Sequence, residues 1–156
     1  MEKDTTYYRN GQVKFLSERT TYKYNNQEFT NWTGKSILYY KNGVIARVTV
    51  QNDYGNFLNE KFYDRNGNLI EEWITTELDS RANNLNEYFS NKSLGDIKKI
   101  INYYKYSKKL SKYYIYKQEY IELFNGIVKE KRNTLNLNGE IIKTKNLKPR
   151  KEKNLW

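Results

Sequence analysis

The sequence predicts a mainly β protein: an antiparallel meander of hairpins with one amphipathic helix inserted near residues 93–109. Five of the eight glycines directly follow an asparagine, and Asn-Gly is the strongest short-range signal for a hairpin turn. The residues around these pairs are rich in tyrosine and β-branched side chains, which favour strands. One stretch after residue 92 instead shows apolar residues at helical spacing.

The clearest hairpin unit is Tyr-Tyr-Lys-Asn-Gly-Val-Ile at 39–45, an aromatic strand end, a turn and a β-branched strand start. The unit recurs at 7–13 and 62–70, with weaker copies at 123–128 and 135–142. Asparagine and glycine both tolerate positive φ, so we expect two-residue type I′ turns at these positions. The pattern predicts a β-meander over 1–78 and further hairpins over 113–147.

The interrupting segment predicts a polar connection over 79–92, followed by a helix that Ser93 would cap. The apolar positions of this helix share one face and are Leu94, Ile97, Ile100, Ile101 and Tyr104. Its basic and polar positions share another face and are Lys98, Asn102, Lys105 and Lys109. We expect the apolar face to pack on the sheet and the lysines to point outward. Residues 148–156 are expected to form a basic tail.

The composition argues against catalysis. The chain has no cysteine and no histidine, which excludes disulfides, Cys/His zinc sites and cysteine or Ser-His nucleophiles. Glu71 and Glu72 are adjacent in a predicted strand, so they face opposite sides of the sheet and cannot form a catalytic pair. We therefore predict that the protein is not an enzyme and needs no metal or cofactor.

Neither a secretion signal nor a membrane span is expected. The N-terminal residues lack the cationic-then-apolar pattern of a signal peptide. No apolar run approaches the roughly 18–20 residues that a membrane-spanning helix needs. The expected location is the cytoplasm.

The net charge of +10 lies entirely in the C-terminal half. Residues 1–78 hold 10 Lys/Arg and 10 Asp/Glu, whereas residues 79–156 hold 18 Lys/Arg and 8 Asp/Glu. Any electrostatic function is therefore expected in the second half of the chain.

The densest functional signal is the stretch 98–117, which interleaves lysines with tyrosines and contains no acidic residue. The candidate binding residues are Lys98, Lys99, Tyr103, Lys105, Tyr106, Lys108, Lys109, Lys112, Tyr113 and Lys117. Lysines neutralise phosphates and aromatic rings stack on unpaired bases, so RNA or single-stranded DNA is one candidate partner. An acidic protein, a nucleoprotein or an anionic membrane surface would meet the same charges. A solvated lysine-rich surface without a partner is the remaining interpretation.

The unit Tyr-Tyr-x-Asn-Gly followed by an apolar pair resembles the MORN repeat (membrane occupation and recognition nexus). It is most similar to the bacterial variant associated with toxin–antitoxin systems. The resemblance is best from Tyr39 to Glu72 and covers about half of the chain. It implies hairpins added side by side into an extended, curved, single-layer sheet. It also implies scaffolding or binding and no reaction.

These observations predict a non-catalytic binding protein that inhibits or neutralises a macromolecular partner by occlusion. The partner would be an acidic protein or a nucleoprotein complex, such as a toxin or a phage-defence nuclease. An antitoxin, an immunity protein or a phage-encoded inhibitor acts in this way. The alternative is direct binding of RNA or single-stranded nucleic acid by the basic, tyrosine-rich C-terminal half.

Overall fold

The computed structural model describes residues 2–79 and 96–151, which fall into two compact units. Unit 1 holds residues 2–68, and unit 2 holds residues 69–79 and 96–151. Every regular element within these ranges is a β-strand. The predicted mainly β class is therefore confirmed.

Each unit is an antiparallel meander. The strands of unit 1 are β1 (Glu2–Tyr7), β2 (Val13–Tyr24), β3 (Gln27–Tyr39), β4 (Ile45–Gln51) and β5 (Phe57–Tyr63). The strands of unit 2 are β6 (Leu69–Leu78), β7 (Ile97–Ser107), β8 (Lys112–Phe124), β9 (Ile127–Leu135), β10 (Ile141–Asn146) and β11 (Arg150–Lys151). Consecutive strands pair within unit 1, as they do from β6 to β10 within unit 2. The short β11 pairs with the first residues of β9.

The turn at residues 40–44 differs from the predicted type I′ geometry. The Gly43 N–H donates to the Tyr40 carbonyl at 2.9 Å, and the Tyr40 N–H donates to the Val44 carbonyl at 2.8 Å. Gly43 has a φ of +83°, whereas Asn42 keeps a negative φ. This is a three-residue loop with its last residue in the left-handed region. The Asn42 side chain stabilises it by accepting a hydrogen bond from the Val44 N–H at 3.2 Å.

The same loop recurs four times, at 8–12, 52–56, 64–68 and 136–140. Positive φ at both central residues, as in a type I′ turn, is found instead at Asn25–Asn26 and Asn125–Gly126. The prediction of hairpins at the Asn-Gly pairs is confirmed. The prediction of their turn type is wrong everywhere except at Asn125–Gly126.

Tyrosine hydroxyls join successive hairpins of unit 1. The Tyr8 hydroxyl donates to the Tyr39 carbonyl at 2.6 Å, and the Tyr40 hydroxyl donates to the Tyr63 carbonyl at 2.7 Å. Tyr8 and Tyr40 occupy the same position, two residues before the asparagine of each Asn-Gly pair. The repeated tyrosine thus links one hairpin to the next through the backbone.

The centre of unit 1 is polar. Ser36, Thr49 and Glu60 lie side by side on β3, β4 and β5 and are all buried. The Thr49 hydroxyl donates to the Glu60 carboxylate at 3.3 Å. Small hydroxyl residues in these central positions explain how a chain with only 37% hydrophobic residues builds this sheet.

The apolar core of unit 2 lies on one face of its sheet. Ile97, Leu123 and Val128 are adjacent across β7, β8 and β9, and Val128 is only 1% exposed. Ile101 is on the same face of β7 and is equally well buried. These four side chains anchor β7 in the middle of the unit.

The predicted helix near 93–109 is wrong over its described part, because residues 97–107 form strand β7. Ser93 and Leu94 lie outside the described residues, as do most of the 79–92 connection and the last five residues of the predicted tail. Ile97 and Ile101 are four residues apart, a spacing that puts two residues on one face of a helix and also of a strand. The β-branched and aromatic residues of this segment favour the strand.

Candidate binding surface

The end of the β7–β8 hairpin extends past the pairing of its neighbours. Among the described strand pairs, β6 pairs with β7 as far as Tyr103, and β9 pairs with β8 from Lys117 onward. Residues 104–107 of β7 pair with residues 112–115 of β8. In the described pairings, neither segment also pairs with β6 or β9. We call residues 104–115, including the connecting turn, the β7–β8 tip.

The tip carries four lysines and no acidic residue. Its exposed lysines are Lys105, Lys108, Lys109 and Lys112. None of the four forms an ion pair with a residue that the structure describes. The tip is therefore a small surface of high positive charge.

The two faces of the tip differ in chemistry. Tyr106 lies opposite Tyr113, with ring centroids 5.5 Å apart in an edge-to-face contact, and Tyr106 is 52% exposed. The neighbouring pair on the same face is Tyr104 with Ile115, so this face is aromatic and apolar. Lys105 and Lys112 lie on the other face.

Lys105 is held against aromatic rings. Its Nζ atom lies 5.0 Å from the centroid of the Tyr116 ring and 5.5 Å from that of Tyr114. Tyr116 is two residues from Tyr114 on β8, so both rings lie on the face that carries Lys105. Cation–π contacts of this kind fix the position of the ammonium while leaving it charged and exposed.

The structure brings together six of the ten predicted binding residues and separates the other four. The six at the tip are Lys105, Tyr106, Lys108, Lys109, Lys112 and Tyr113. The four in the body of unit 2 are Lys98, Lys99, Tyr103 and Lys117.

Those four side chains are engaged by neighbours. Lys99 is buried, with its Nζ atom 5.9 Å from the centroid of the Trp73 ring. Lys98 forms an ion pair with Glu77 at 2.8 Å, and the hydrogen bond to that carboxylate raises the pKa of Lys98. These contacts support a structural role for both lysines.

Tyr103 and Lys117 belong to an ion-pair network on the same face as the core. The Lys117 Nζ atom lies 3.6 Å above the Tyr103 ring and 3.2 Å from a Glu119 oxygen. The Tyr103 hydroxyl donates to Glu119 at 3.1 Å. Burial raises the pKa of the Tyr103 phenol, and the nearby Glu119 carboxylate raises it further.

Arg132 completes this network by joining two buried carboxylates. Its guanidinium lies 3.0 Å from Glu119 and 2.6 Å from Glu130. Glu130 also pairs with Arg150 of β11 at 3.4 Å. Both carboxylates are therefore neutralised by cations, which stabilises β8, β9 and β11 against one another.

On the opposite face of unit 2, Tyr104 donates its hydroxyl to Glu72 at 3.0 Å. Burial, followed by this hydrogen bond to a carboxylate, raises the pKa of Tyr104 to about 12. Tyr104 therefore stays neutral at physiological pH and ties the base of the tip to β6.

Unit 2 also contains a shallow depression of about 620 Å³ that the sequence did not predict. The residues that line it include Ile100, Tyr120, Lys129 and Lys131. The Lys131 Nζ atom lies 4.6 Å from the centroid of the Tyr120 ring. These residues come from three strands, so their proximity follows from the register and not from any local motif.

A second set of lysines that sequence reasoning missed lies on β10. Lys143 and Lys145 are exposed and lie on one face, because they are two residues apart in a strand. The alternation Ile-Lys-Thr-Lys at 142–145 is the local signal that indicates them.

No group of three or more acidic, histidine or cysteine residues suited to a metal ion is present in residues 2–79 and 96–151. The same ranges contain no helix with the length and hydropathy needed to cross a membrane.

No protein family model matches the sequence, and no curated protein matches it. Among solved structures, the chain is similar to a porin-like protein from Bacteroides uniformis, with 12% sequence identity and a TM-score of 0.28. The similarity covers 88% of this chain and 55% of that protein, so the chain spans about half the length of the protein it matches. At this TM-score the similarity carries no argument about function.

Proposed function

We propose that the protein is a non-catalytic, cytoplasmic binding protein that neutralises an acidic macromolecular partner by covering part of its surface. The observation that carries this proposal is the β7–β8 tip, which presents Lys105, Lys108, Lys109 and Lys112 without any carboxylate within it. Positive charge concentrated at one end of a hairpin steers association with a negatively charged surface. The exposed Tyr106 supplies an aromatic anchor beside that charge.

The proposal includes the MORN-like character of the hairpins and the curved sheet that this resemblance implies. The repeated Tyr-to-carbonyl hydrogen bonds of unit 1 support a scaffold made of similar hairpins. In this view unit 1 is the support, and the tip makes the contact. The roles of antitoxin, immunity protein or phage-encoded inhibitor fit such a division.

The test is a capture experiment with charge reversal at the tip. The variant K108E/K109E/K112E and the matched control K23E/K35E/K41E each lower the net charge from +10 to +4. The three control lysines are exposed and lie in unit 1. Tagged wild type and both variants are incubated with nuclease-treated lysate of the source cells.

A protein captured by the wild type and the control, but lost with the tip variant, would support the proposal. Association measured with that purified protein should slow at least about tenfold for the tip variant at low salt, because steering depends on local charge. Equal capture by all three proteins, or no captured protein, would count against it.

Direct nucleic-acid binding is the second candidate, and the aromatic face of the tip favours it. The exposed Tyr106 offers a ring for stacking, and the lysines of the tip offer phosphate contacts. A labelled 20-nucleotide single-stranded RNA is the probe, and fluorescence anisotropy is followed against salt. If four lysines contact phosphates, log K should fall with log[salt] with a slope of roughly −3, at ~0.7 per contact. Absence of binding at low salt would exclude this candidate.

A further inference from the structure

Strands β1 and β10 each have an open edge in the described residues. β1 pairs with β2 and β10 pairs with β9, and no further described strand pairs with either. An open edge presents backbone N–H and C=O groups that another strand can use. These edges belong to unit 1 and unit 2 respectively.

The two edges carry opposite charges at the same spacing. On β1, Glu2 and Asp4 are two residues apart and share a face, and both pair with Arg19 of β2, at 3.0 and 3.3 Å. On β10, Lys143 and Lys145 are two residues apart and share a face. An antiparallel pairing of β1 with β10 from two molecules would set Glu2 opposite Lys145 and Asp4 opposite Lys143.

The charge environment of Lys145 favours a carboxylate at this edge. Lys145 lies directly opposite Arg132 of β9, which is itself paired with Glu119 and Glu130, so this neighbour gives Lys145 no counter-charge. Lys143 lies opposite Thr134, which gives it no counter-charge. Neither lysine forms an ion pair with a described residue.

The same pairing would cover exposed aliphatic side chains. Ile141 is 55% exposed and Ile142 is 64% exposed. Continuing this register brings Thr5 and Thr6 beside Ile142 and Ile141, where β10 has a register shift against β9. The threonine methyl groups would then shield part of the isoleucine surface from water.

On these grounds we propose that β1 of one molecule pairs with β10 of a second copy, in a head-to-tail contact stabilised by two carboxylate–lysine pairs. Pairing of two β10 edges would set lysines against lysines, and pairing of two β1 edges would set carboxylates against carboxylates. The charges thus favour the head-to-tail contact over the two symmetric ones. This contact lies outside the β7–β8 tip, so it is independent of the proposed function.

The test is sedimentation velocity of the full chain over a concentration series at low salt. Wild type should associate with increasing concentration, and association should weaken as salt rises. K143E/K145E has two acidic edges and E2K/D4K has two basic edges, so each alone should associate at least about tenfold more weakly. An equimolar mixture of the two variants should associate again, because every edge then has an oppositely charged partner.

Far-UV circular dichroism of each variant checks that the fold is kept before mixing. Restored association in the mixture would not follow if the substitutions had merely unfolded the edges. A wild type that stays monomeric at every concentration, or a mixture that stays monomeric, would overturn the proposal.

Discussion

The Tyr40 hydroxyl donates a hydrogen bond to the Tyr63 carbonyl at 2.7 Å, across 23 residues of sequence. Tyr8 makes the equivalent bond to the Tyr39 carbonyl. Both tyrosines are partly buried, so the phenol ring packs while its polar end finds a backbone partner. The second tyrosine of the pairs at 7–8 and 39–40 therefore stabilises the meander by a bond between hairpins.

Replacing Tyr40 with phenylalanine should lower the stability of the protein without changing its fold. The substitution removes one partly buried hydrogen bond, and we expect a loss of about 1 kcal/mol. This corresponds to a fall in Tm of about 2–4 °C for a chain of this size. Thermal unfolding followed by circular dichroism measures it.

Tyr7→Phe is the matched control for this prediction. Tyr7 precedes Tyr8 in the first hairpin unit and is 61% exposed. Its substitution should leave Tm unchanged. If Tyr7→Phe and Tyr40→Phe lowered Tm equally, the hydrogen bond between hairpins would not be the cause.

Asp64 should make the stability of the protein depend on acid pH. Its carboxylate accepts hydrogen bonds from the side chain and backbone of Asn68 and from the Asn66 N–H, and these lower the pKa of Asp64. A depressed folded-state pKa adds stability that is fully present above the ordinary value of 3.8. That stability is lost as pH falls through the lower folded-state pKa.

The substitution Asp64→Asn tests this dependence, because Asn52 and Asn136 occupy the same position in two other turns. The asparagine side chain should keep the turn and remove the titration. Tm measured from pH 7 to pH 2 should then fall less steeply than in wild type. A slope as steep as that of the wild type would contradict the assignment to Asp64.

Gly55 should tolerate alanine less well than Gly43. Both glycines have positive φ, +86° and +83°, so an alanine is strained at either site by about 1–2 kcal/mol. At Gly43 an added Cβ meets no atom within 4 Å, whereas at Gly55 it lies 3.2 Å from the Trp32 backbone oxygen. We expect Gly55→Ala to destabilise the protein by roughly 1 kcal/mol more than Gly43→Ala.

Urea unfolding of the two alanine variants measures this difference as a shift in midpoint. The comparison cancels the strain of the left-handed backbone, which both sites share. Equal midpoints would mean that the strand carrying Trp32 moves away from the added methyl group.

The hairpins were predictable because their signal is local. Asn-Gly pairs, flanking tyrosines and β-branched residues lie within a few positions of each other, as at 39–45. The turn type was not predictable from the same residues. Asparagine can adopt a positive φ, as a type I′ turn requires, or it can keep a negative φ and stabilise the turn through its side chain. Asn42 does the second, because its side chain accepts a hydrogen bond from the Val44 N–H.

The binding surface was predictable in part for a similar reason. The lysines of the tip are close together in sequence, so composition indicated them. The structural roles of Lys99 and Lys117 depend on contacts with Trp73 of β6 and Tyr103 of β7, which the strand register brings beside them. The complementary edges of β1 and β10 are more than 130 residues apart and have no local signal.

Two isoleucines of β7 distinguish the strand from the helix that the sequence suggested. In a helix, Ile97, Ile100 and Ile101 would lie on one apolar face and their loss would have similar effects. In β7, Ile101 is 3% exposed on the core face, whereas Ile100 lies on the opposite face, beside the shallow depression. We expect Ile101→Ala to destabilise the protein by about 3 kcal/mol and Ile100→Ala by about 1 kcal/mol. Urea unfolding of both variants measures the difference, and equal losses would contradict the assignment of Ile101 to the core face and of Ile100 to the other face.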